Sequence, residues 1–372
     1  MRKIDASVPI GRSRSDPISA RAHAMKTVSI IMATFNGARF IGEQLSSLAA
    51  QTYPSLELII SDDGSNDGTL AIIDEFCRNA PFPVIVRRNE TRLGYAENFL
   101  SASKLATGDY IAFCDQDDRW TSEKIEVAVE ALSSSGAELF VHSASLMDVS
   151  GSTIGQFSQG INKSHVYEPL ELGPWAVFYG CTMVFSRKLL DLVDGAYRGP
   201  HTFEFEGLLS HDLWIYFLAT SLGKVIVDER PLICYRQHHA NQTPHVQTRR
   251  FRAWWISLGI AAHPKLKRSE IADHRCGLME HLCMSASDPG VKYAATRAAR
   301  YWRQLAIYEL ERVKFYSARG LFHRALGCGI LAWRGGYKSV GRGGLGWQLL
   351  IKDLLVGVFR LVAVFRAYRS SR

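Results

Sequence analysis

Short apolar runs recur along the first two thirds of the chain, each ending in a small polar or acidic turn and each followed by apolar residues at helical spacing. Residues 27–33 (Thr-Val-Ser-Ile-Ile-Met-Ala) have the continuous apolar character of a parallel-sheet strand buried on both faces. They run into Thr34-Phe-Asn-Gly37, after which Phe40, Ile41, Leu45 and Leu48 mark a helix within 39–51. Tyr53-Pro54 breaks it. Strands are predicted next at 56–60, 83–87 and 110–114, with helices over 69–77 and 96–105 and a further helix opening at Thr121 and Glu123. Later strands are expected at 137–142, 145–149, 180–185, 224–228 and 232–235, with helices over 187–193 and 210–218. Strands alternating with helices predict a three-layer α/β domain with a mainly parallel sheet, spanning 26–245.

The pattern changes on either side of that domain. Residues 1–25 are basic and carry Gly11-Arg-Ser-Arg-Ser-Asp-Pro17 without an apolar block of signal-peptide length, which reads as a flexible extension. Residues 246–372 predict a helical region. Arg249, Arg250, Arg252, Trp254 and Trp255 cluster near its start, and 294–331 mixes Tyr, Trp and Arg at helical spacing. The last predicted helix, 347–369, is apolar for most of its length but is interrupted by Lys352, Asp353, Arg360, Arg366 and Arg369. A spanning helix needs about 20 mostly apolar residues, so this one fits a helix lying in a membrane interface, or one packed on the protein body. Gly341-Arg-Gly-Gly-Leu-Gly346 matches a Gly-x-Gly-x-x-Gly pattern, but no strand precedes it and no acidic residue follows at the required distance. It reads as a hinge.

At 372 residues with 47% hydrophobic content, the chain is long enough for a substantial core and more than one domain. Lys and Arg number 44 against 36 Asp and Glu, a formal charge of +8 compatible with nucleic acid, anionic lipid or phosphorylated substrates. The seven cysteines are scattered, odd in number and never in a Cys-x-x-Cys pair, so neither a zinc site nor a disulfide framework is expected.

Chemistry concentrates where strands end. After 110–114 come Asp115, Asp117 and Asp118 within one turn. Open α/β sheets place ligands at this end of their strands. Carboxylates this close raise one another's pKa unless a cation offsets them, and hard oxygen donors suit Mg²⁺ or Mn²⁺. An acidic turn and helix cap is the plainer alternative. An EF-hand is excluded, because Trp120 stands where that loop requires glycine. The second strand ends in Ser61-Asp-Asp-Gly-Ser-Asn-Asp-Gly-Thr69, where glycines permit close approach of backbone to ligand and a carboxylate can accept from a base or ribose; an ordinary turn is equally compatible. Asp212 falls in the first turn of an apolar helix, a position the helix dipole alone would favour. Arg236-Gln-His-His239 follows the last predicted strand and is equally compatible with a surface turn.

The order and spacing of Val28-Ser-Ile-Ile-Met-Ala-Thr-Phe-Asn36, Ser61-Asp-Asp-Gly-Ser-Asn-Asp-Gly-Thr69, Leu93-Gly-Tyr-Ala-Glu-Asn98 and Cys114-Asp-Gln-Asp-Asp-Arg-Trp120 resemble the successive motifs of family 2 glycosyltransferases. The resemblance implies the GT-A fold, a nucleotide-diphospho-sugar donor and inversion at the anomeric carbon. Carried over, it implies that Ala33, Thr34 and Asn36 line the nucleotide pocket and that Asp63 reads a pyrimidine base. Asp115 lies near the nucleotide, Asp117 binds a divalent metal (Mg²⁺ or Mn²⁺) on the diphosphate, and Asp212 is the general base. Gly180-Cys-Thr-Met183, His211-Asp-Leu-Trp214 and Tyr235-Arg-Gln-His-His-Ala-Asn241 resemble the bacterial rhamnosyltransferase branch. In that setting His238 is assigned to the metal or diphosphate and Arg236 to the leaving phosphate, with dTDP-rhamnose the leading donor. The Gly-, Ser- and Gln-rich segment 151–165 is expected to be a mobile loop over the acceptor, a lipid-linked saccharide at the cytoplasmic face of a bacterial membrane that the terminal helix touches.

Two rival classes are a nucleic-acid-binding protein and a catalytically idle scaffold. The first explains the positive charge and the interleaved aromatics, but leaves the acidic turn at 115–118 unexplained, since it repels phosphate. The second predicts no metal-dependent binding of a nucleotide-sugar.

Overall fold

The computed structural model describes residues 25–202, 207–238 and 263–360. The predicted extension at 1–25, apart from Met25, lies outside these residues, as do the Arg- and Trp-rich stretch near 250 and the end of the predicted terminal helix.

The first half is built of β1 (Val28–Thr34), α1 (Ile41–Ala49), β2 (Leu56–Asp62), α2 (Thr69–Cys77), β3 (Val84–Arg88), α3 (Tyr95–Ser103), β4 (Tyr110–Asp115), β5 (Arg119–Trp120) and α4 (Lys124–Ser135). After it come β6 (Leu139–Met147), β7 (Thr153–Phe157), β8 (His165–Tyr167), β9 (Met183–Ser186), α5 (Lys188–Leu192), α6 (His211–Leu222) and β10 (Val225–Arg236). One sheet runs β3-β2-β1-β4-β9-β6-β10-β5, with β7 beside β6 and β8 beside β10. Strands β3, β2, β1 and β4 pair parallel with one another, as do β6 and β10, while β9 is antiparallel to both β4 and β6. The mainly parallel three-layer α/β architecture expected from the sequence is therefore the one observed.

The continuous apolar runs are explained by helices on both faces. Ile31, Ile59 and Phe113 point into one core with α3 and α6, while Ile30, Met32 and Ile60 point into another with α1 and α4. Each such side chain fully buried contributes about 1.5–3 kcal/mol. Register then aligns the strand ends: Ala33 lies opposite Ser61 and Asp115, and Thr34 opposite Asp62. Helix α6 is apolar around its whole circumference because it is sandwiched, with Leu213 through Ser221 all buried.

Three expectations differ from the structure. The two strands predicted at 137–142 and 145–149 are one, β6, because Ser143 and Ala144 are small enough to be buried without breaking the ladder. Likewise 224–228 and 232–235 are joined as β10, which shifts register around Asp228 and Pro231. Arg230 there folds back onto the Asp228 carboxylate with Nη2–Oδ2 at 2.6 Å. The segment 151–165 is tied into the sheet rather than left as a mobile loop. Strand β7 pairs antiparallel with β6, and the Gln159 amide donates to His142 O and Thr182 Oγ1 at 2.8 and 2.9 Å.

The C-terminal region is helical as expected, with α7 (His263–Ser285), α8 (Pro289–Ser317), α9 (Leu321–Trp333) and α10 (Trp347–Lys352), the last continuing as a π-helical turn, Asp353–Val358. Helix α8 packs its buried Trp302 against α6 and donates from the indole to Ser221 Oγ at 2.9 Å, which fixes α6 from outside. The expected hinge at 341–346 is a turn wound onto its neighbours, with Gly344 N donating to Ser339 O and Leu345 N to Gly336 O. The helix α9, not a strand, comes before it, so it is no dinucleotide fingerprint. Of the two arrangements expected for the terminal helix, its described first turns show the one packed on the protein body. Asp353 is fully buried, accepting from Arg312 Nε and Nη2 at 2.7 and 2.8 Å and from the Tyr316 and Tyr337 hydroxyls at 2.8 Å each. Its first turns are therefore packed on the protein through this carboxylate.

Candidate active site

The ends of β1, β2 and β4 open onto a cavity of about 800 Å³ whose far wall is the start of α6. Ala33, Thr34, Asn36 and Asp63 line it, together with Asp115, Asp117, Asp212 and His238. Of the residues predicted to form the site, Arg236 alone is absent from the lining. It is fully buried behind the cavity, where Nη2 pairs with Glu43 Oε2 at 2.6 Å and Nε donates to Asp117 O at 2.7 Å. Its assignment to the leaving phosphate is corrected: a guanidinium committed to these acceptors holds the 117–118 turn in place from beneath.

The β1 and β2 turns are stapled together. Thr34 Oγ1 donates to Asp62 Oδ2 at 2.9 Å, and Asp62 Oδ1 accepts from Gly64 and Ser65 N. Asn36 has φ +48°, a left-handed conformation that asparagine tolerates, and its Oδ1 accepts from Asn66 N at 3.0 Å. Gln116 grips the first turn at both ends, accepting from Phe35 N and donating to Phe35 O at 3.0 Å each. A Cβ at Gly37 would lie 2.2 Å from Gln116 Oε1, so only glycine leaves that grip room. Asp63 lines the cavity while its carboxylate holds the next loop, accepting from Leu93 N, Gly94 N and Asn89 Nδ2 at 2.7, 2.8 and 3.1 Å. Asn98 completes this shell, donating to Ser61 O and accepting from Asn89. The supporting roles of Asn89, Asn98, Gln116 and Lys124 are not legible in the sequence, although Asn98 and Gln116 stand inside motifs that were.

Acidic groups crowd the end of β4. Burial, then the Asp117 charge, pushes Asp115 up to about 7, and the same causes hold Asp118 well above the carboxylate range. Asp118 is fully buried; Oδ1 accepts from Arg236 N at 3.0 Å, and Oδ2 has no partner among the described residues. Lys124 is the nearest compensation. It is buried, donates to Cys181 O at 2.7 Å, sits 3.4 Å over the Trp120 ring, and is itself pulled down to about 8 by burial. Asp117 Oδ2 lies 2.8 Å from His238 Nε2, and the His238 ring stacks on Phe40. Carboxylates crowded at the end of β4, three of them within four residues, are an environment a hard divalent cation fits. Asp115, Asp118 and Cys181 also lie within 4.8 Å of one another. Burial keeps the Cys181 thiol protonated, and Asp118 does not line the cavity, so the pair Asp117 and His238 beside Asp115 is the donor set open to a ligand.

Asp212 enters from α6. Its Oδ1 accepts from Ser210 Oγ and Leu213 N at 2.5 and 2.7 Å, leaving Oδ2 for a ligand. Beside it His211 is buried, stacked on Phe99 with ring centroids 4.2 Å apart, and burial lowers its pKa so that it stays neutral. Gly180 presses on this corner. A Cβ there would lie 2.6 Å from His211 Nε2 and 3.6 Å from Asp212 Cβ. Gly180→Ala is therefore expected to lower kcat by about tenfold or more while leaving the donor KM within about twofold, because small misplacements of a reacting group are costly. Steady-state kinetics of the variant check this.

A sheet of this order with acidic residues converging at its strand ends has the GT-A arrangement. The solved structure of S. aureus TarS residues 1–349 in complex with UDP-GlcNAc shares the fold, with a TM-score of 0.50 at 18% identity over 84% of this chain and 93% of that one. The family model for glycosyl transferase family 2 matches residues 29–193. An Escherichia coli UDP-Glc:alpha-D-GlcNAc-diphosphoundecaprenol beta-1,3-glucosyltransferase, WfaP, is 31% identical over 249 residues, 65% of this chain and 90% of that protein. The dTDP-rhamnosyl transferase RfbG of Shigella flexneri is 29% identical over 250 residues, 64% of this chain and 82% of that protein. The chain belongs to glycosyltransferase family 2 and is a glycosyltransferase.

Proposed function

We propose that the protein transfers a sugar, with rhamnose from dTDP-rhamnose the leading choice, to a hydroxyl of a lipid-linked saccharide at the cytoplasmic face of a bacterial membrane. The observation that carries this reading is the meeting of Asp115, Asp117 and Asp212 in one cavity. The donor's nucleoside rests against Ala33, Thr34, Asn36 and Asp63, and its diphosphate lies toward Asp115 and Asp117. A divalent cation, Mg²⁺ or Mn²⁺, held by Asp117 and His238 would supply positive charge against the diphosphate. Asp212 Oδ2 takes the proton of the acceptor hydroxyl as that oxygen attacks the anomeric carbon. The bond from carbon to the diphosphate oxygen breaks on the opposite face, the nucleoside diphosphate leaves and the anomeric configuration inverts. Water reaching the acceptor position would hydrolyse the donor instead. The similarity to RfbG supports rhamnose; WfaP, named for UDP-Glc and a diphosphoundecaprenol acceptor, supports a lipid-linked acceptor and is the reason donor choice needs a direct test.

The test is nucleoside diphosphate release from a donor panel with membrane lipid acceptor, with and without chelator. Turnover with dTDP-rhamnose that chelation abolishes is expected; turnover with another donor alone overturns the rhamnose assignment, and full activity in chelator overturns the metal. Asp115 adds a pH signature. Its folded-state pKa is raised to about 7, so its contribution to stability is complete below its unfolded value and is lost as pH rises through about 7. Without metal, stability should fall between pH 5 and pH 8 on the order of 1 kcal/mol or more. Added Mn²⁺ should restore more stability at pH 8 than at pH 6. Thermal melts across pH, with and without Mn²⁺, measure both.

A further inference from the structure

We propose that the outer faces of α9 and α10 form a docking surface for an anionic lipid bilayer. The inner faces of the two helices are spoken for: Arg324, Cys328 and Leu331 of α9 meet Val356 and Val358, beyond α10, over Phe315 and Tyr316 of α8. What remains outward on α9 is an unbroken apolar stripe at helical spacing, Phe322, Leu326, Ile330 and Trp333, of which Phe322 is 74% and Trp333 87% exposed. Helix α10 and its π-helical continuation repeat the arrangement with Trp347, Ile351, Leu355 and Phe359. Exposed aromatic and aliphatic side chains in this number exceed what a solvated helix face needs.

Charge selects the occupant. Between residues 318 and 360 there is a single acid, Asp353, and it is buried against Arg312; every fully exposed charged side chain in that span is a cation, namely Arg319, Arg334, Lys338 and Arg342. A second copy of the chain would set these cations against themselves. The segments 239–262 and 361–372 contain no acidic residue that could answer them either. Apolar stripes with Trp among them, rimmed by Arg and Lys, match the headgroup boundary of an anionic membrane, where aromatic rings and basic side chains are both favoured. This departs from a lone terminal helix lying on the surface: the platform uses two helices locked to the body by the Asp353 network, and α9 carries its most exposed residues. The inference rests on the proposed membrane-borne acceptor only for its purpose, since a bilayer-held enzyme meets a lipid-linked substrate in two dimensions.

The experiment is flotation of the full chain with vesicles of phosphatidylcholine alone and of phosphatidylcholine mixed with phosphatidylglycerol, at low and high salt. Wild type is expected to float with the anionic vesicles, less so at high salt, with a blue shift of tryptophan emission. Phe322→Ser with Trp333→Ser should weaken that partition about tenfold or more, and Arg334→Glu with Lys338→Glu should weaken it about as much. Neither variant touches the cavity, so donor-induced thermal shift should stay as in wild type, which also reports that each has folded. No flotation of wild type, equal flotation with both vesicle types, or unchanged flotation of the Ser variant overturns the proposal. A wild-type dimer that the Ser variant dissolves overturns it in favour of a self-association surface. Because flotation needs no turnover, failure of docking and failure of the transferase reading are seen separately.

Discussion

Asp212→Asn should cut turnover by about 10²- to 10⁴-fold, the usual range for loss of a positioned base. The amide keeps the size of the side chain and can still accept from Leu213 N and Ser210 Oγ, so the start of α6 should hold. What it loses is an oxygen able to take a proton. The donor, bound through the other end of the cavity, should keep its affinity within about threefold, because Asp212 adds to the reacting step rather than to binding. Measuring kcat and donor KM separately distinguishes this from a general disturbance. Retention of more than about a tenth of wild-type kcat would remove Asp212 from the role of base, since even the lower end of that range is exceeded by the residual activity.

The second large effect is on stability. Asp353→Ala should destabilise the protein by about 3–5 kcal/mol, the cost of stripping one partner from a buried ion pair. Arg312, 2% exposed, is bridged between Glu309 at 2.6 Å and Asp353 at 2.7 Å, and the Tyr316 and Tyr337 hydroxyls also donate to Asp353. Removing the carboxylate orphans the Tyr316 hydroxyl, leaves Tyr337 with only a weak contact to Cys328 Sγ, and leaves Glu309 as the guanidinium's counter-charge among the described residues. Asp353→Asn, which retains an acceptor, should cost roughly half as much. Urea denaturation followed by circular dichroism measures both, and limited proteolysis should cut the variant first near α10. If Asp353→Ala unfolds at the wild-type urea midpoint, the network does not secure the last helices.

The parts of this architecture that sequence reveals are those set by local rules. The apolar runs of β1, β2 and β4 are readable because both faces are covered, so no alternation is needed, and the turns after them are readable because Asp, Asn and Gly have few other uses in such clusters. Asp115 and Asp117 stand out for the same reason, whereas Asp212, alone in the first turn of a helix, is picked out only by the family resemblance. What escapes is set by packing between distant segments. Arg236 looks like a phosphate ligand when only its neighbours in sequence are considered; its burial against Glu43, from the first helix, appears only in three dimensions. Asp353 looks like an interruption of an interfacial helix until Arg312 is seen opposite it. Lys124 reads as an ordinary first-turn residue, and nothing local says that it lies close to the Asp115 and Asp118 carboxylates.

The stack of His211 on Phe99 joins two ends of the cavity that the chain order keeps far apart. Asp63 pins Gly94, the residue on which α3 begins, and α3 presents Phe99 and Tyr95 to His211, whose neighbour is Asp212. On the proposed reading, Asp63 at the nucleoside end of the cavity and Asp212 at the acceptor end are therefore linked through one helix. Under the proposed function, recognition of the carrier and readiness for the chemical step would share that one helix.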